Sequence, residues 1–448
     1  MKRRFVMVAM PWSHKRDDLA PLGHASLVAA LKRESNLEIR QVIQPVSNDE
    51  FSVTGLADHV MAEVEGLPHK DVDVGVGVYV WNDKHVKGLL LSLRDRGFEG
   101  RIVLGGPQIS YAGSGLEQIY PEANAFVRGY AEAALCCLAR SNERPKIRGV
   151  HHAGEMDCLE QAETNLRSLP SPWFDDTIQL DQNSSVRWET QRGCNFRCSF
   201  CQHRQPDARI PIAVVEASRL EIEIDLLCKT KVRRISVLDP VFNRDPKHAL
   251  DVLQQFSQRK FQGAIALQCR LEMVDKAFLD EVQKLDVTLE FGLQSIHKRE
   301  YLAVGRPNNM AKVEQVLREV QRRKIKNEVS LIYGLPEQTL KTFQDSVNWC
   351  LGLNIPVIKA FPLLLLRGTE LEREQEKWAF VVKEGDFPMV VSSSSFSSSD
   401  WSDMECIANA LSRTECSHPT CLGALMQTTD SEDISQDASR LRSLGKGR

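Results

Sequence analysis

Three cysteines lie within eight residues near the middle of the chain: Cys194, Cys198 and Cys201, with the aromatic Phe200 directly before the last one. Thiolates at this spacing can hold three corners of a cubane iron–sulfur cluster and leave its fourth iron without a protein ligand. An open iron predicts chemistry at the cluster, because a fourth cysteine would close the site. Tetrahedral zinc is the alternative, and it would take a fourth ligand such as His203.

The stretch around these cysteines resembles the signature of the radical S-adenosylmethionine (radical SAM) superfamily, which has this spacing and commonly an aromatic residue before the third cysteine. The resemblance implies a [4Fe–4S] cluster held by Cys194, Cys198 and Cys201, with Phe200 beside it. It also implies S-adenosylmethionine as a cofactor, whose amine and carboxylate chelate the open iron. Electron transfer from the cluster then cleaves a carbon–sulfur bond homolytically, so the protein must position this cofactor and exclude water.

Apolar stretches and helical patterns alternate after the cysteines, which predicts a partial (β/α)6 barrel over residues 186–372. The six predicted strands are 186–190, 234–238, 264–268, 288–292, 328–333 and 357–361. Polar residues follow several of these strands, and core packing alone does not explain them. Because active residues of such barrels lie at the carboxyl ends of the strands, we expect the cofactor site there.

The fifth predicted strand runs into LIYGLPEQT, which resembles the G-x-I-x-G-x-x-E pattern that backs the adenine in the superfamily. Ser330 replaces the first glycine of that pattern, and Ile332, Gly334 and Glu337 occupy its other positions. The resemblance therefore implies that these residues bind S-adenosylmethionine.

Further strand ends are candidates for the same cofactor. By resemblance, Gln294 and Ser295 lie on the ribose and carboxylate side of the pocket, and Gln268 is the polar end of the third strand. Arg270 is a candidate ligand of the methionine carboxylate, because a guanidinium pairs bidentately with that group, and a surface salt bridge is its alternative role. The superfamily's G-G-E run, which holds the methionine amine, is missing, and Asp239 in that region is expected to take part of its role.

Residues 1–140 show the alternation of apolar runs and helical patterns that predicts a parallel, Rossmann-like α/β domain. Its predicted strands are 5–10, 39–43, 74–80, 101–104 and 125–128, and its clearest helices are 23–33 and 85–96. Ligands of such sheets bind beyond the carboxyl ends of the strands. The residues at those ends that we expect to bind a ligand are Tyr79, Trp81, Asn82, Gly105, Gly106 and Gly129.

The order of these elements, with the segments PLGHASLVAALKRE, VLGGPQ and VRGYAEAAL, is similar to the cobalamin-binding domain of cobalamin-dependent radical SAM enzymes. Those relatives usually carry an acidic G-E-G-E-like run where this chain has Gly129 to Glu132, a partial departure. The D-x-H-x-x-G motif that supplies an axial histidine in other cobalamin proteins is absent. Cobalamin is therefore expected to bind without that ligand, with His14 as a nearby loop histidine, or the domain has kept the fold and lost the cofactor.

The remaining segments predict a linker at 141–185, a small C-terminal cap at 373–427 and a polar, disordered tail at 428–448. Serines make 392–399 a predicted loop. A net charge of -3 provides no general field for nucleic acid, and no run of about 18 apolar residues indicates a membrane span. The twelve cysteines do not form a disulfide scaffold, and an oxygen-sensitive cluster implies a reducing cytoplasm.

The predicted function is that of a radical SAM enzyme, first of all a cobalamin-dependent methyltransferase in a natural-product pathway. By resemblance, its partners are a small-molecule substrate and a reductant such as flavodoxin or ferredoxin. One alternative is transfer of the 3-amino-3-carboxypropyl group of S-adenosylmethionine, because the layout is also similar to the arsinothricin-pathway radical SAM enzyme. Radical rearrangement without cobalamin and an iron–sulfur electron carrier or sensor are the others.

Overall fold

The computed structural model describes residues 3–12, 21–140, 142–174, 177–203, 212–383 and 385–428. The chain divides after Leu180 into two compact units. His14 and the predicted disordered tail, apart from residue 428, lie outside the described residues. Both units are built on parallel sheets, which confirms the predicted α/β fold class.

The first unit contains a six-stranded sheet in the order β2-β1-β3-β4-β5-β6. Its strands are β1 (Arg3–Ala9), β2 (Leu37–Ile43), β3 (Val72–Gly77), β4 (Arg101–Gly105), β5 (Ala125–Val127) and β6 (Val150–His152). Its helices are α1 (Leu22–Leu31), α2 (Val53–Val64), α3 (Asp83–Asp95), α4 (Pro107–Ser110), α5 (Leu116–Ile119) and α6 (Glu132–Ala139). All pairs are parallel except that of β5 with β6.

Helices cover both faces of this sheet, and successive side chains of β1 point alternately into the core on each face. Val6 and Val8 pack with α2 and α3, whereas Phe5 and Met7 pack with α1 and α6. The strand β6 falls within the predicted linker, and Gly129 also pairs with Ala162 further along it. Residues 142–174 therefore contribute to the first unit, although their sequence shows no periodic pattern.

The second unit contains a six-stranded parallel sheet in the order β14-β13-β12-β11-β10-β7, an open barrel as predicted. The strands of this unit are β7 (Ser185–Trp188), β8 (Gln191–Arg192), β9 (Ala213–Val214), β10 (Arg234–Val237), β11 (Ala264–Cys269), β12 (Asp286–Gln294), β13 (Lys326–Tyr333), β14 (Val357–Pro362), β15 (Val381–Lys383) and β16 (Met389–Ser392). Its helices are α7 (Ala217–Thr230), α8 (Pro246–Gln258), α9 (Lys276–Val282), α10 (Lys298–Ala303), α11 (Met310–Arg322), α12 (Leu340–Gly352), α13 (Glu370–Arg373), α14 (Ser398–Arg413) and α15 (Leu422–Gln427).

Local sequence explains where these helices begin. The Asn309 side chain accepts a hydrogen bond from the Lys312 N–H at the start of α11, and Thr339 forms a capping box with Thr342 at the start of α12. Ser397 caps α14 in the same way, so residues 398 and 399 of the predicted serine-rich loop are helical instead. Ser392, at the other end of the predicted loop, is the last residue of β16, so the loop prediction holds for residues 393–397.

Two short antiparallel ladders complete the second unit. The first pairs β8 with β9 and closes the base of the loop that carries the cysteines. The second pairs β15 with β16, and Val390 in β16 also donates its N–H to the Leu363 carbonyl beyond β14. None of the described helices is long and apolar enough to cross a membrane.

Candidate active site

The cysteine loop leaves β7 over a buried carboxylate at the end of β10. Asp239 is fully buried and accepts hydrogen bonds from the N–H groups of Thr190 (2.8 Å) and Gln191 (3.2 Å) and from the Thr190 hydroxyl. The Thr190 hydroxyl also lies 2.7 Å from Nε2 of His248. Burial raises the pKa of Asp239 to about 7, although its hydrogen bonds oppose that shift. Its carboxylate oxygens thus hold the entry to the loop, a contact that the sequence did not indicate.

Each of the three cysteine sulfurs receives an N–H donor. Nη1 of Arg306 lies 3.6 Å from Sγ of Cys198, and the His203 N–H lies 3.4 Å from Sγ of Cys201. The backbone N–H of Phe196 donates a hydrogen bond to the sulfur of Cys194. Because hydrogen bonds to the sulfurs are typical of iron–sulfur sites, this donor set suits a cluster held by three thiolates.

Burial raises the pKa of the Cys201 thiol to about 11 and also raises that of Cys194. A cluster takes thiolate ligands, so its assembly must release these protons. Among the described residues, no three His, Cys, Asp or Glu side chains gather closely enough for a single metal ion. The cysteines of a cubane cluster ligate different irons, so they need not converge on one point as the ligands of a zinc ion do.

The second half of the loop is held by segments that follow α10 and β14. The Ser199 N–H donates to the Val304 carbonyl (3.0 Å), and the Ser199 carbonyl accepts from the Leu371 N–H (3.1 Å). Gln202 donates to the Arg367 carbonyl (2.9 Å). Phe200 is half-buried in this part of the loop, and its place beside a cluster stays a prediction.

Arg270 is a buried brace of the cysteine loop, not the surface salt bridge considered as its alternative. Its guanidinium stacks 4.0 Å above the Phe196 ring and donates to the Pro307 carbonyl (2.7 Å). It also pairs with Glu272 (3.3 Å), and its backbone is clamped by the Asn243 side chain. These contacts occupy much of the guanidinium, so binding of the methionine carboxylate stays a prediction.

Two strand ends of the predicted cofactor pocket contain strained residues. Gln294, at an irregularity in β12, has φ +69°, and Glu337, after β13, has φ +64°. Such left-handed backbone in a non-glycine residue costs free energy and is concentrated at functional sites. Glu337 and Gln268 are exposed, whereas Ile332 is half-buried.

Ser295 and Gly334 are buried in the scaffold beside those residues. The Ser295 hydroxyl donates to Glu300 (2.5 Å) and accepts the His297 N–H (2.9 Å), so its hydrogen bonds are intramolecular. Gly334 has φ +87°, and a Cβ there would lie 3.3 Å from the Val390 carbonyl oxygen. Both residues shape the predicted pocket, and direct contact with a cofactor stays a prediction for each.

Sequence reasoning missed three residues that organise these strand ends: Arg306, Glu300 and Gln338. Gln338 directly follows Glu337 in the LIYGLPEQT run, so a closer look at that motif could have indicated it. Arg306 and Glu300 carry no local signal, because each acts on residues that are distant in sequence or buried by the fold.

In the first unit, the predicted residues Tyr79, Trp81 and Asn82 follow β3, at the point where the strand order reverses between β1 and β3. The predicted glycines lie at neighbouring strand ends, Gly105 and Gly106 at the end of β4 and Gly129 after β5. The rings of Tyr79 and Trp81 stack with centroids 4.5 Å apart. Nε1 of Trp81 and Nδ2 of Asn82 both donate to the Met10 carbonyl, each at 3.2 Å. The loop after β3 is therefore tied to the end of β1, and it presents a flat aromatic pair at the crevice.

At two of the three glycines predicted for this site, contacts within the fold already explain why the residue is glycine. Gly106 has φ +94°, and its Cβ would lie 2.7 Å from the Val78 carbonyl oxygen. Gly129 has φ +82°, and its Cβ would lie 2.6 Å from the Ala162 carbonyl oxygen. Gly105 is less crowded, so for all three a role in binding a corrin stays a prediction.

Comparison with known proteins agrees with this geometry. Residues 188–350 match the sequence profile of the Radical SAM superfamily. The solved structure of the radical S-adenosylmethionine methyltransferase TsrM from Kitasatospora setae, with cobalamin and a [4Fe-4S] cluster bound, superposes with a TM-score of 0.68. That match is 20% identical and covers 86% of this chain and 80% of TsrM, so it establishes the likeness of fold.

Two curated relatives match in sequence. One is the 2-(S-pantetheinyl)-carbapenam-3-carboxylate methyltransferase of Streptantibioticus cattleyicolor, 24% identical over 65% of this chain. The other is the cobalamin-dependent radical SAM methyltransferase TokK of Streptomyces tokunonensis, 22% identical over 64% of this chain. The match spans only 46% of the length of each relative. The resemblance to cobalamin-dependent radical SAM methyltransferases, stated first from the sequence, is confirmed.

Proposed function

Because the chain carries a radical SAM domain, we propose that it is an enzyme that methylates a small-molecule substrate with S-adenosylmethionine, a [4Fe–4S] cluster and cobalamin. The observation that carries the proposal is the set of three cysteine sulfurs, each with its own N–H donor, at the carboxyl edge of the open barrel. A cluster held there supplies one electron and an open iron for S-adenosylmethionine.

The residues of the second unit have distinct proposed roles. Cys194, Cys198 and Cys201 hold the cluster, and Asp239 and Arg270 brace the loop that carries them. Six residues at the strand ends are proposed to bind S-adenosylmethionine: Gln268, Gln294, Ser295, Ile332, Gly334 and Glu337. Their positions along the carboxyl edge suit a ligand that extends across several strands.

The first unit is proposed to bind the corrin at the crevice between β1 and β3. The stacked Tyr79 and Trp81 rings offer a flat apolar surface, and Asn82 fixes their loop to β1. Gly105 lies on the neighbouring strand end, where the backbone leaves space. The described part of this unit shows the order of strands in which α/β sheets bind ligands at a switch point.

The substrate is proposed to be a small organic molecule. Two large apolar side chains at the carboxyl edge of the open barrel remain exposed: Leu238 after β10 is 42% exposed, and Phe361 in β14 is 37% exposed. Such side chains suit the apolar part of a ligand, because binding pockets are lined mainly by apolar groups. We also propose that a low-potential one-electron donor such as flavodoxin or ferredoxin reduces the cluster, in a reducing cytoplasm.

The test is anaerobic reconstitution of the full chain with iron, sulfide and hydroxocobalamin, followed by addition of S-adenosylmethionine, a reductant and candidate small molecules. We expect about four irons per chain, retained corrin, and both S-adenosylhomocysteine and 5′-deoxyadenosine among the products. Cys198→Ala should lose the intact cluster, whereas Cys406→Ala, an exposed cysteine of α14, should retain it.

Three outcomes would contradict parts of this proposal. A full cluster in Cys198→Ala would disprove the ligand assignment. Methylthioadenosine in place of 5′-deoxyadenosine would indicate transfer of the 3-amino-3-carboxypropyl group, and failure to retain corrin would reject the cobalamin-dependent methyltransfer while leaving the radical SAM chemistry intact.

A further inference from the structure

The segment from Val304 to Asn308, between α10 and α11, contacts the cysteine loop and two strand ends. A Cβ on Gly305, whose φ is +61°, would lie 2.6 Å from the Arg197 carbonyl oxygen, so the segment packs closely under the loop. Asn308 donates to the carbonyl of Leu293 in β12 (3.0 Å) and to that of Ser295 directly after it (3.2 Å). The segment is therefore held in place from several directions.

Arg306 is the charged residue of this segment. Nη1 lies 3.6 Å from Sγ of Cys198, and Nη2 donates to the Gly292 carbonyl in β12. A Cβ on Gly292 would lie 3.4 Å from Nη2 and 2.7 Å from the Gln294 amide nitrogen, so both side chains pack against this glycine. Nε of Arg306 is buried and has no hydrogen-bond partner among the described residues.

Arg306 differs in its contacts from Arg270, the other arginine packed against the cysteine loop. The Arg270 guanidinium lies over the Phe196 ring and donates to the Pro307 carbonyl, and among the described residues no hydrogen bond joins it to a cysteine sulfur. Arg306 is thus the cation with a direct hydrogen bond to a proposed cluster ligand in the described part of the chain.

We propose that Arg306 is a positioning residue that sets the reduction potential of the cluster, an inference that rests on the proposed function. Reduction adds one electron from a low-potential donor to the cluster, and the donor is oxidised by one electron. The added negative charge is stabilised by a nearby guanidinium and by an N–H bond to a ligand sulfur, and both raise the potential of such clusters. The bridge to Gly292 keeps the guanidinium at the sulfur when the charge on the cluster changes.

The test compares Arg306→Gln and Arg306→Lys with Arg323→Gln in the reconstituted full chain. Arg323 is a suitable control because it belongs to the same unit, is 9% exposed and makes ion pairs with Asp280 and Glu319 instead of a cysteine. The midpoint potential of the cluster is measured by EPR during titration with dithionite, before S-adenosylmethionine is added.

At the wild-type midpoint potential, we expect the ratio of reduced to oxidised cluster to fall at least tenfold in Arg306→Gln, about 59 mV for one electron. Arg306→Lys keeps the positive charge but lacks the second nitrogen of the guanidinium, so its midpoint potential should lie between those of the wild type and Arg306→Gln. The midpoint potential of Arg323→Gln should match that of the wild type. Unchanged potentials in both Arg306 variants with full iron content would overturn the inference.

Loss of the cluster from both Arg306 variants, with retention in Arg323→Gln, would also overturn it, since Arg306 would then only hold the loop. If the wild-type chain itself assembles no cluster, the proposed function fails first. If the wild type assembles a cluster with normal iron content and the variant clusters have the same potential as it, this inference fails while the proposed function stands.

Discussion

The Glu300 carboxylate accepts a hydrogen bond of 3.1 Å from the Gln338 side-chain amide, and this contact joins α10, which follows β12, to the turn that follows β13. The same carboxylate oxygen accepts the Ser295 hydroxyl, and Oε1 of Gln338 accepts the N–H of Gly334 (2.7 Å). Both side chains are almost completely buried. Two strand ends proposed to bind S-adenosylmethionine are therefore positioned by one buried network.

Replacing Gln338 by Leu should loosen the turn after β13. The change leaves the N–H groups of Gly334 and Leu335 and the Ile332 carbonyl without their side-chain partner. Buried groups without partners cost about 1–3 kcal/mol each, so we expect a loss of about 3 kcal/mol in the free energy of unfolding and weaker binding of S-adenosylmethionine. Urea unfolding and calorimetric titration measure the two effects. Gln254→Leu, on the exposed face of α8, is the control, and equal losses in both variants would refute the role of the network.

The close approach of Gly129 to Ala162 predicts a strong contrast between two glycines. Gly97 and Gly129 have nearly the same φ, +81° and +82°, but a Cβ on Gly97 meets nothing within 4 Å. Gly97→Ala should therefore cost about 1 kcal/mol from backbone strain alone. Gly129→Ala should cost about 2–4 kcal/mol in urea unfolding, because its Cβ also collides with backbone. Equal effects of the two substitutions would mean that the contact with Ala162 is not formed.

The raised pKa of Asp239 predicts that stability depends on pH. Folding raises its pKa from an ordinary value near 3.8 to about 7, because the carboxyl group is buried. Between these values the folded chain retains a proton that the unfolded chain has lost, so stability from this group decreases as pH rises through about 4 to 7, by at most about 1.4 kcal/mol per pH unit.

Asp239→Asn removes that titration. The unfolding free energy of the wild type minus that of the variant should decrease as pH rises across the window, measured with urea on the cluster-free chain. Asp251→Asn, on an exposed position of α8, is the matched control for the loss of a carboxylate. A wild-type minus Asp239→Asn difference that increases with pH would show that the carboxylate is stabilised in the fold instead.

The stacked pair in the first unit predicts how the corrin is held. Trp81→Ala removes both the stack on Tyr79 and the hydrogen bond to the Met10 carbonyl, and we expect corrin affinity to fall at least tenfold, about 1.4 kcal/mol. Trp81→Phe keeps an aromatic ring, so its corrin affinity should fall less than that of Trp81→Ala. Visible absorption after gel filtration measures the retained corrin, and Trp378→Ala in the second unit is the control. Full retention by Trp81→Ala would place the corrin elsewhere.

The sequence alone determined the elements whose signal is local. The spacing of Cys194, Cys198 and Cys201 indicated the cluster, and apolar runs placed the six barrel strands to within a few residues. The strand prediction succeeds because strand periodicity is a pattern of neighbouring residues. The three cysteines as cluster ligands stay a prediction. Strand β6, in the segment after Gly129, was not predicted, because it is three residues long and joins the sheet edge without a periodic pattern.

Only the tertiary structure decided which side chains support those elements. Arg306 reaches Cys198 across 108 residues, and Asp239 reaches Thr190 across 49. Such pairs leave no local pattern, because the order of strands in the sheet brings their ends together. The need for glycine at position 129 is likewise set by the backbone of Ala162, which only the folded chain places beside it.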